Sequence, residues 1–448
     1  MTNRFRKFLL LSSFACTAFV SAIAQSPGLH NFSVQQCIDY AVKNNVQVKN
    51  ALLAVKMQQQ QNRDITSAAL PNLSGSFGVT DYLKIPTTLI PAQFFGGPAG
   101  TYEPVQFGTK YNSSANLQLQ QLLFDGQVFV GLQARAASME FQEKNVEVTQ
   151  EVIKANVYKI YYQLAVSKTQ INLLDANIER LKKLQHEVTV MYNNGFSEKL
   201  DIDKINVQIA NLETQKQKAL NSIQIGYLGL KTLMGMPIKD SLTLTDEISY
   251  DNIKTGLADT GYQYTDRKEF QYLNIAKKLN EYNIKRYKLS YYPSIAFTSV
   301  FSKQAFRSQF DIFGKGDWFT TSFVGLNISV PIFDGFSKDS KIKQAKISLL
   351  QTNNQLDNLK LTIDNEVQQA KLNFETAINT LNFQKKNMDL AESVYNQTKR
   401  KLETGTGSNI EITTAQTDLI TAQTNYIGAM YDAVIAKVDY NKAIGKLK

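Results

Sequence analysis

Ala69-Leu70-Pro71-Asn72-Leu73-Ser74, followed by Leu123-Phe124-Asp125-Gly126, has a second version in the same chain: Tyr291-Tyr292-Pro293-Ser294-Ile295-Ala296, followed by Ile332-Phe333-Asp334-Gly335. After each Phe-Asp-Gly site comes a long stretch of helical pattern, broken at Gly195 in one half and Gly405 in the other. These stretches close at Met234-Gly235 and Ile444-Gly445, 210 residues apart. The prolines stand 222 residues apart and the Phe-Asp-Gly sites 209. The spacing therefore shifts between these two landmarks, where only the first copy has the Pro/Gly-rich loop Ile85 to Gly108. Insertions collect where a chain meets solvent, so the pattern is that of an architectural duplication.

No glycine or proline interrupts Gly131 to Gly195 or Gly335 to Gly405. At about 1.5 Å per residue, each run predicts a helix roughly 100 Å long, far beyond the width of an ordinary domain. Ile153, Val157, Ile160, Leu164, Ile171, Leu174, Ile178, Leu181 and Val188 alternate steps of four and three, with Ser167 and Gln185 in the two remaining slots. That spacing predicts left-handed coiled-coil packing. Helical pattern resumes at Leu200 to Leu233 and at Ile410 to Ile444, so each glycine reads as the tip of a helical hairpin. A further helix precedes each proline, over Ser33 to Ser67, with Ser33 and Gln36 as a capping box, and over Arg267 to Lys288.

Strand signals lie between the landmarks. Ala115, Leu117 and Leu119 alternate with Asn116, Gln118 and Gln120, and Val324, Leu326, Ile328 and Val330 with Phe323, Gly325, Asn327 and Ser329. Period two gives each strand one apolar and one polar face. Leu73 to Tyr82 and Ile295 to Ser302 complete two strand hairpins, spanning 73–123 and 294–331. Aromatic residues gather at their ends: Tyr82, Phe107, Tyr111, Phe301, Phe306, Trp318 and Phe319. A girdle at a membrane interface and the core of a soluble sheet both fit them. If the apolar face meets lipid, four strands cannot close a barrel, and the chain must assemble. Two copies give eight strands and a bore that side chains fill, whereas three give twelve and room for a channel, which favours a homotrimer.

The N-terminus has Arg4, Arg6 and Lys7, an apolar run from Phe8 to Val20, and Ala22-Ile23-Ala24 before Gln25. These predict a cleaved secretory signal over 1–24. The shortness of the run disfavours an uncleaved anchor, and Ser13-Phe14-Ala15 matches a lipidation box at Cys16 poorly. Cleavage leaves Cys37 as the one cysteine, without an intramolecular disulfide, and lowers the formal charge of +10 by three. Lys and Arg alternate with Asp, Glu and Gln along the helices, which argues against a nucleic-acid patch. His30 and His186 lie far apart, and neither accompanies a nucleophile or ligand cluster. Gly405-Thr406-Gly407 is half of a phosphate loop, with no strand before it. No catalytic, metal or cofactor site is expected.

The signal, the opening Ser33 to Asn45, the paired prolines before strands, the paired Phe-Asp-Gly sites and the glycine tips together resemble the TolC family of outer-membrane efflux proteins. The resemblance covers essentially the whole mature chain, as a first repeat at 25–235, an insert at 236–265 and a second repeat at 266–448. It implies a mainly α homotrimer with a twelve-stranded barrel in outer-membrane lipid and an α-helical barrel in the periplasm. It also implies docking of the tips onto a periplasmic adaptor that links the duct to an inner-membrane transporter. The docking surface would be Asn194, Gly195 and Phe196 with Thr404, Gly405, Thr406 and Gly407. Family members narrow the entrance with acids just past the second tip, where this chain has Glu411, with Asp201 as its counterpart after Gly195. A second acid one turn on is replaced here by Thr414. The family's tyrosine before this tip and arginine after it are Leu402 and Gly407 here, so its locking network is not carried over. Glu411 equally suits a helix's first turn, where the dipole favours an acid. The alternative class is a periplasmic coiled-coil adaptor or structural protein with a soluble β domain.

Overall fold

The computed structural model describes residues 28–246, 250, 253, 261–312, 314 and 316–447. The expected signal over 1–24, with Cys16, lies outside them, as do 247–249, 251, 252 and 254–260 of the expected insert. The described elements are β1 (Leu29–Phe32), α1 (Val34–Asn44), α2 (Val46–Ser67), β2 (Asn72–Asp81), β3 (Thr87–Pro91), β4 (Tyr102–Gln106), β5 (Tyr111–Phe124), α3 (Gly126–Asn193), α4 (Lys199–Met234), β6 (Ser241–Leu244), α5 (Lys268–Leu289), β7 (Ser294–Arg307), β8 (Phe319–Ser329), α6 (Ser337–Glu403) and α7 (Asn409–Ala443). Among the described residues no helix is long and apolar enough to cross a membrane.

Four helix ends carry the duplication at atomic detail. Gly195, Gly235, Gly405 and Gly445 all have positive φ, between 70° and 82°. After each, the next residue's N–H reaches back five positions: Phe196 to the Met191 carbonyl, Met236 to Lys231, Thr406 to Lys401 and Lys446 to Asn441, at 2.8–3.0 Å. Each glycine N–H bonds the carbonyl three residues back. This is the Schellman arrangement, which satisfies the last carbonyls of a helix and requires a residue that tolerates the left-handed region.

The chain divides into two compact units. The first comprises Met1–Asn45, Ile153–Ala258 and Asn373–Val438. Its core joins all four long helices: Leu174, Leu181 and Val188 of α3, Ile205, Ile209 and Leu212 of α4, Tyr395 of α6, and Ile412 and Leu419 of α7. The expected α3 stripe is buried except at Ile160 and Ile171, which are half-buried, and Tyr161 and Leu184 join it. The helix expected over Ser33 to Ser67 is two, α1 and α2. The capping box at Ser33 and Gln36 forms, but Asn45 turns to ψ 135°. The cause is the end of α4. A Cβ on Gly235 would meet the Asn44 carbonyl oxygen at 2.6 Å, and the buried Asn45 amide donates to the Leu233 carbonyl at 2.6 Å. β1, unexpected from sequence, pairs in parallel with β6 of the insert. Tyr161 ties this pair to α3: its hydroxyl donates to the Phe32 carbonyl and accepts from the Asp246 N–H. Burial, with the Asp246 charge beside it, pushes the Cys37 thiol up to about 12, which makes it inert as a nucleophile.

The second unit comprises Val46–Val152, Asp259–Leu372 and Asp439–Lys448. It contains an antiparallel sheet in the order β2-β5-β7-β8, so the two hairpins lie side by side. Strands β5 and β7 run longer than the alternation suggested, because Tyr111 to Ser114 at the start of β5 pairs with Gln304 to Arg307 at the end of β7. The loop Ile85 to Gly108 has its own antiparallel pair, β3 and β4, where Thr87 to Ile90 supplies a β-favouring run.

Candidate functional site

The first candidate surface is the sheet. Residues opposite each other in an antiparallel pair share a face. By register, Leu73, Leu119, Ser299 and Val324 form one row, Gly75, Leu117, Phe301 and Ser322 the next, and Phe297 with Leu326 and Ile295 with Ile328 extend the same face toward the helices. The other face carries Ser76, Asn116, Ser302 and Thr321 in one row. There the Ser302 hydroxyl donates to the Asn116 side chain at 2.6 Å, and the Asn116 amide to Ser76 at 3.4 Å. One side is thus mostly a wall of aliphatic and aromatic groups, and the other is uncharged, mainly hydroxyl and amide groups with Val300, Phe306, Phe319 and Phe323 among them. Val324, Leu326 and Ile328 are 71, 65 and 59 % exposed, although they form the most apolar strand of the sheet. Among the described residues β2 and β8 each have a neighbour on one side only, which leaves two open edges.

The second candidate surface is the pair of tips in the first unit. Asn194, Gly195, Phe196, Thr404, Gly405 and Thr406 are all exposed, Phe196 at 78 %, and Gly407 is half-buried. The polar side chains brace their own turns. Asn194 donates to the Val190 carbonyl at 2.7 Å, and the hydroxyls of Thr404 and Thr406, 3.1 Å apart, both reach the Lys401 carbonyl. A Cβ on Gly407 would meet the Leu402 backbone nitrogen at 2.9 Å. The tips therefore present one aromatic ring on two rigid turns.

Asp201 and Glu411 occupy equivalent places in the duplication, yet the structure uses them differently. Glu411 is exposed, and its N–H donates to the Ser408 hydroxyl at 3.3 Å, so it stands in the first turn of α7 beside an N-capping serine. Thr414, one turn on, is also exposed. Asp201 turns into the cleft between the hairpins. Its Oδ2 accepts from the Ser197 hydroxyl at 3.1 Å and from the Asn409 amide at 3.0 Å, and that amide also donates to Ser197 Oγ at 2.8 Å. Ser197, Asp201 and Asn409 thus latch the second tip to the first.

Deeper in the same unit, Asn177, Gln416 and Gln423 are buried to 2, 0 and 8 % exposure. Asn177 donates to Gln423 at 2.7 Å and accepts from Gln416 at 3.3 Å and from Arg180 at 3.0 Å. Sequence reasoning missed Ser197, Asn409 and these amides. The signal available was three polar residues at core-spaced positions of otherwise apolar helices, which fixes register where apolar side chains alone leave it free.

The family model for "Outer membrane efflux protein" matches residues 267–446. Outer membrane protein TolC of Salmonella enteritidis is 20 % identical over 345 residues, covering 75 % of this chain and 69 % of its own length. Outer membrane efflux protein BepC of Brucella suis is 19 % identical over 413 residues, covering 91 % of this chain and 84 % of its own. The solved structure of CusC, described for its transmembrane channel formation, superimposes with a TM-score of 0.76 at 16 % identity over 94 % of this chain and 95 % of that one. The duplicated hairpins and the two-faced sheet agree with these likenesses: residues 267–446 match the outer membrane efflux protein family, and the chain as a whole is similar to TolC-type outer-membrane proteins.

Proposed function

We propose that three copies of this chain form an outer-membrane duct that passively conducts cargo received from a periplasmic adaptor and an inner-membrane transporter. One observation supports this above all: a sheet with one apolar and one uncharged polar face and an unpaired strand at each edge. In lipid an open edge leaves backbone groups without partners, so β8 of one copy must find β2 of the next. Three copies of the four-stranded sheet give twelve strands and an aqueous bore lined mainly by Ser, Thr, Asn and Gln. The helices support assembly too. Val207, Ile225, Leu361, Leu372 and Phe383 are 60 to 69 % exposed in a single chain, an arrangement that suits burial against neighbouring copies. The tips, with Phe196 outermost, are the adaptor's docking surface.

Membrane fractionation and planar-bilayer recording test this reading together. The mature protein is expected in detergent-extracted outer membrane, as a trimer that opens conducting events in lipid. A water-soluble chain that makes no holes returns the adaptor reading. In the trimer, threefold symmetry sets the exposed Glu411 carboxylates around the entrance, where a ring of acids attracts cations. Glu411→Gln is expected to lower the cation preference measured as a reversal potential across a salt gradient; unchanged selectivity removes Glu411 from the pore.

A further inference from the structure

The four strands carry three charged residues, Asp81, Lys303 and Arg307, and the register sets all three on the apolar face. Asp81 and Arg307 lie at the row farthest from the long helices, on either side of Tyr111, and the Arg307 guanidinium donates to the carbonyls of Phe306 and Asp317 at 3.2 Å. Lys303 stands two rows further in, between Ala115 and Thr320, and is exposed. Among the described residues no carboxylate pairs with it. Eight residues separate it from Ile295, about 27 Å of strand. At the tilt of a closed barrel that is about 20 Å of depth, near the outer limit of an apolar band about 25 Å tall.

Beside Lys303 the wall is hollowed. Gly75 and Ala115 leave a depression of about 400 Å³ bordered by Phe77, Leu117 and Phe301. A Cβ on Gly75 would meet nothing closer than the Leu117 side chain at 3.5 Å, so the hollow is open space that the fold does not need. A plain lipid-facing wall requires neither an unpaired ammonium nor a recess next to it. We propose that Lys303 and this hollow bind a phosphate-bearing acylated glycolipid of the outer leaflet, its phosphate on the Lys303 ammonium and an acyl chain against Phe77, Leu117 and Phe301. Charge complementarity selects the phosphate, because Lys303 is the one cation of this face left without a partner among the described residues, and a charge-assisted contact at the interface is strong. The rings and the leucine select the chain. The outer leaflet follows from the duct reading, on which this inference rests, since the strand ends near Lys303 point away from the helices.

Native mass spectrometry of the detergent-purified assembly with added bis-phosphorylated lipid A tests it. The wild type is expected to retain up to one lipid per chain. Lys303→Gln lowers retention about tenfold, the loss of one charge-assisted contact, and Lys303→Arg preserves it. Gly75→Val keeps the charge, fills the hollow and also lowers retention. Equal retention by wild type and Lys303→Gln overturns the proposal, as does equal binding of dephosphorylated lipid A or of phosphatidylglycerol. The mass of the lipid-free assembly in the same spectra reports separately whether the chain is the trimer that the duct reading requires.

Discussion

Asn409→Ala is expected to open the periplasmic entrance, seen as a severalfold rise in single-channel conductance and as new sensitivity of cells to a large hydrophilic antibiotic that the intact duct excludes. The Asn409 amide is bonded at once to Ser197 Oγ at 2.8 Å and to Asp201 Oδ2 at 3.0 Å, and it is the polar tie nearest the tips between α7 and the first hairpin. A hydrogen bond to a charged group contributes about 1.5–3 kcal/mol, so its loss shifts a closed-to-open ratio by about ten- to a hundredfold in each copy. The apolar core just behind it, with Ile205 and Ile412 at 1 and 0 % exposure, keeps each hairpin folded, so the variant loosens the entrance without unfolding it. Asn409→Asp sharpens the test. It sets a second carboxylate against Asp201, and two close like charges repel, so the opening is larger than in Asn409→Ala. Glu411→Ala, at the position equivalent to Asp201, leaves conductance closed because Glu411 spans no gap between hairpins. If Asn409→Ala and wild type conduct alike, the latch does not hold the entrance.

Duplication made this architecture legible. Two prolines, two Phe-Asp-Gly sites and two glycine tips, read as pairs, located every long helix and all four strands of the large sheet. Period 3.5 in Ile153 to Val188 and period 2 in Val324 to Val330 are properties of the chain alone, so they survive folding unchanged. Other features depend on what the chain meets after it folds. The break at Asn45 exists because Gly235 arrives from 190 residues away and packs against Asn44. β1 is a strand because β6 lies beside it, and four residues carry too little periodicity to announce that. The site shows the same division. The family resemblance singled out Glu411 and the 210-residue offset gave Asp201 as its counterpart, but neither can say that one faces a cleft and the other solvent. That difference comes from Asn409, whose counterpart in the first repeat is Lys199, a residue with no amide to offer.

Proline in β8 is expected to abolish the trimer, and the two open edges say why. Along an antiparallel edge strand the N–H groups point alternately to the paired neighbour and to the free side. β8 pairs with β7 along its whole length, Phe319 opposite Gln304 through Ser329 opposite Ser294, so about half of its donors have no strand partner among the described residues. Val324→Pro and Gly325→Pro, made singly, therefore remove one inward and one outward donor between them. The inward change breaks the chain's own ladder at Ser299 or Thr298 and lowers the yield of folded protein. The outward change leaves that ladder intact and removes only the donor offered to the next copy. If β8 seals against β2 of a neighbour, that second variant keeps the helical signal of the wild type yet loses the heat-sensitive trimer band on an unboiled gel. In lipid an unpaired backbone group costs several kcal/mol, and a threefold assembly repeats the defect at all three junctions, so the trimer is expected to fall by more than about tenfold. A full trimer yield from both variants means the edges close in some other way, and with it goes the argument that a single chain supplies one third of a barrel.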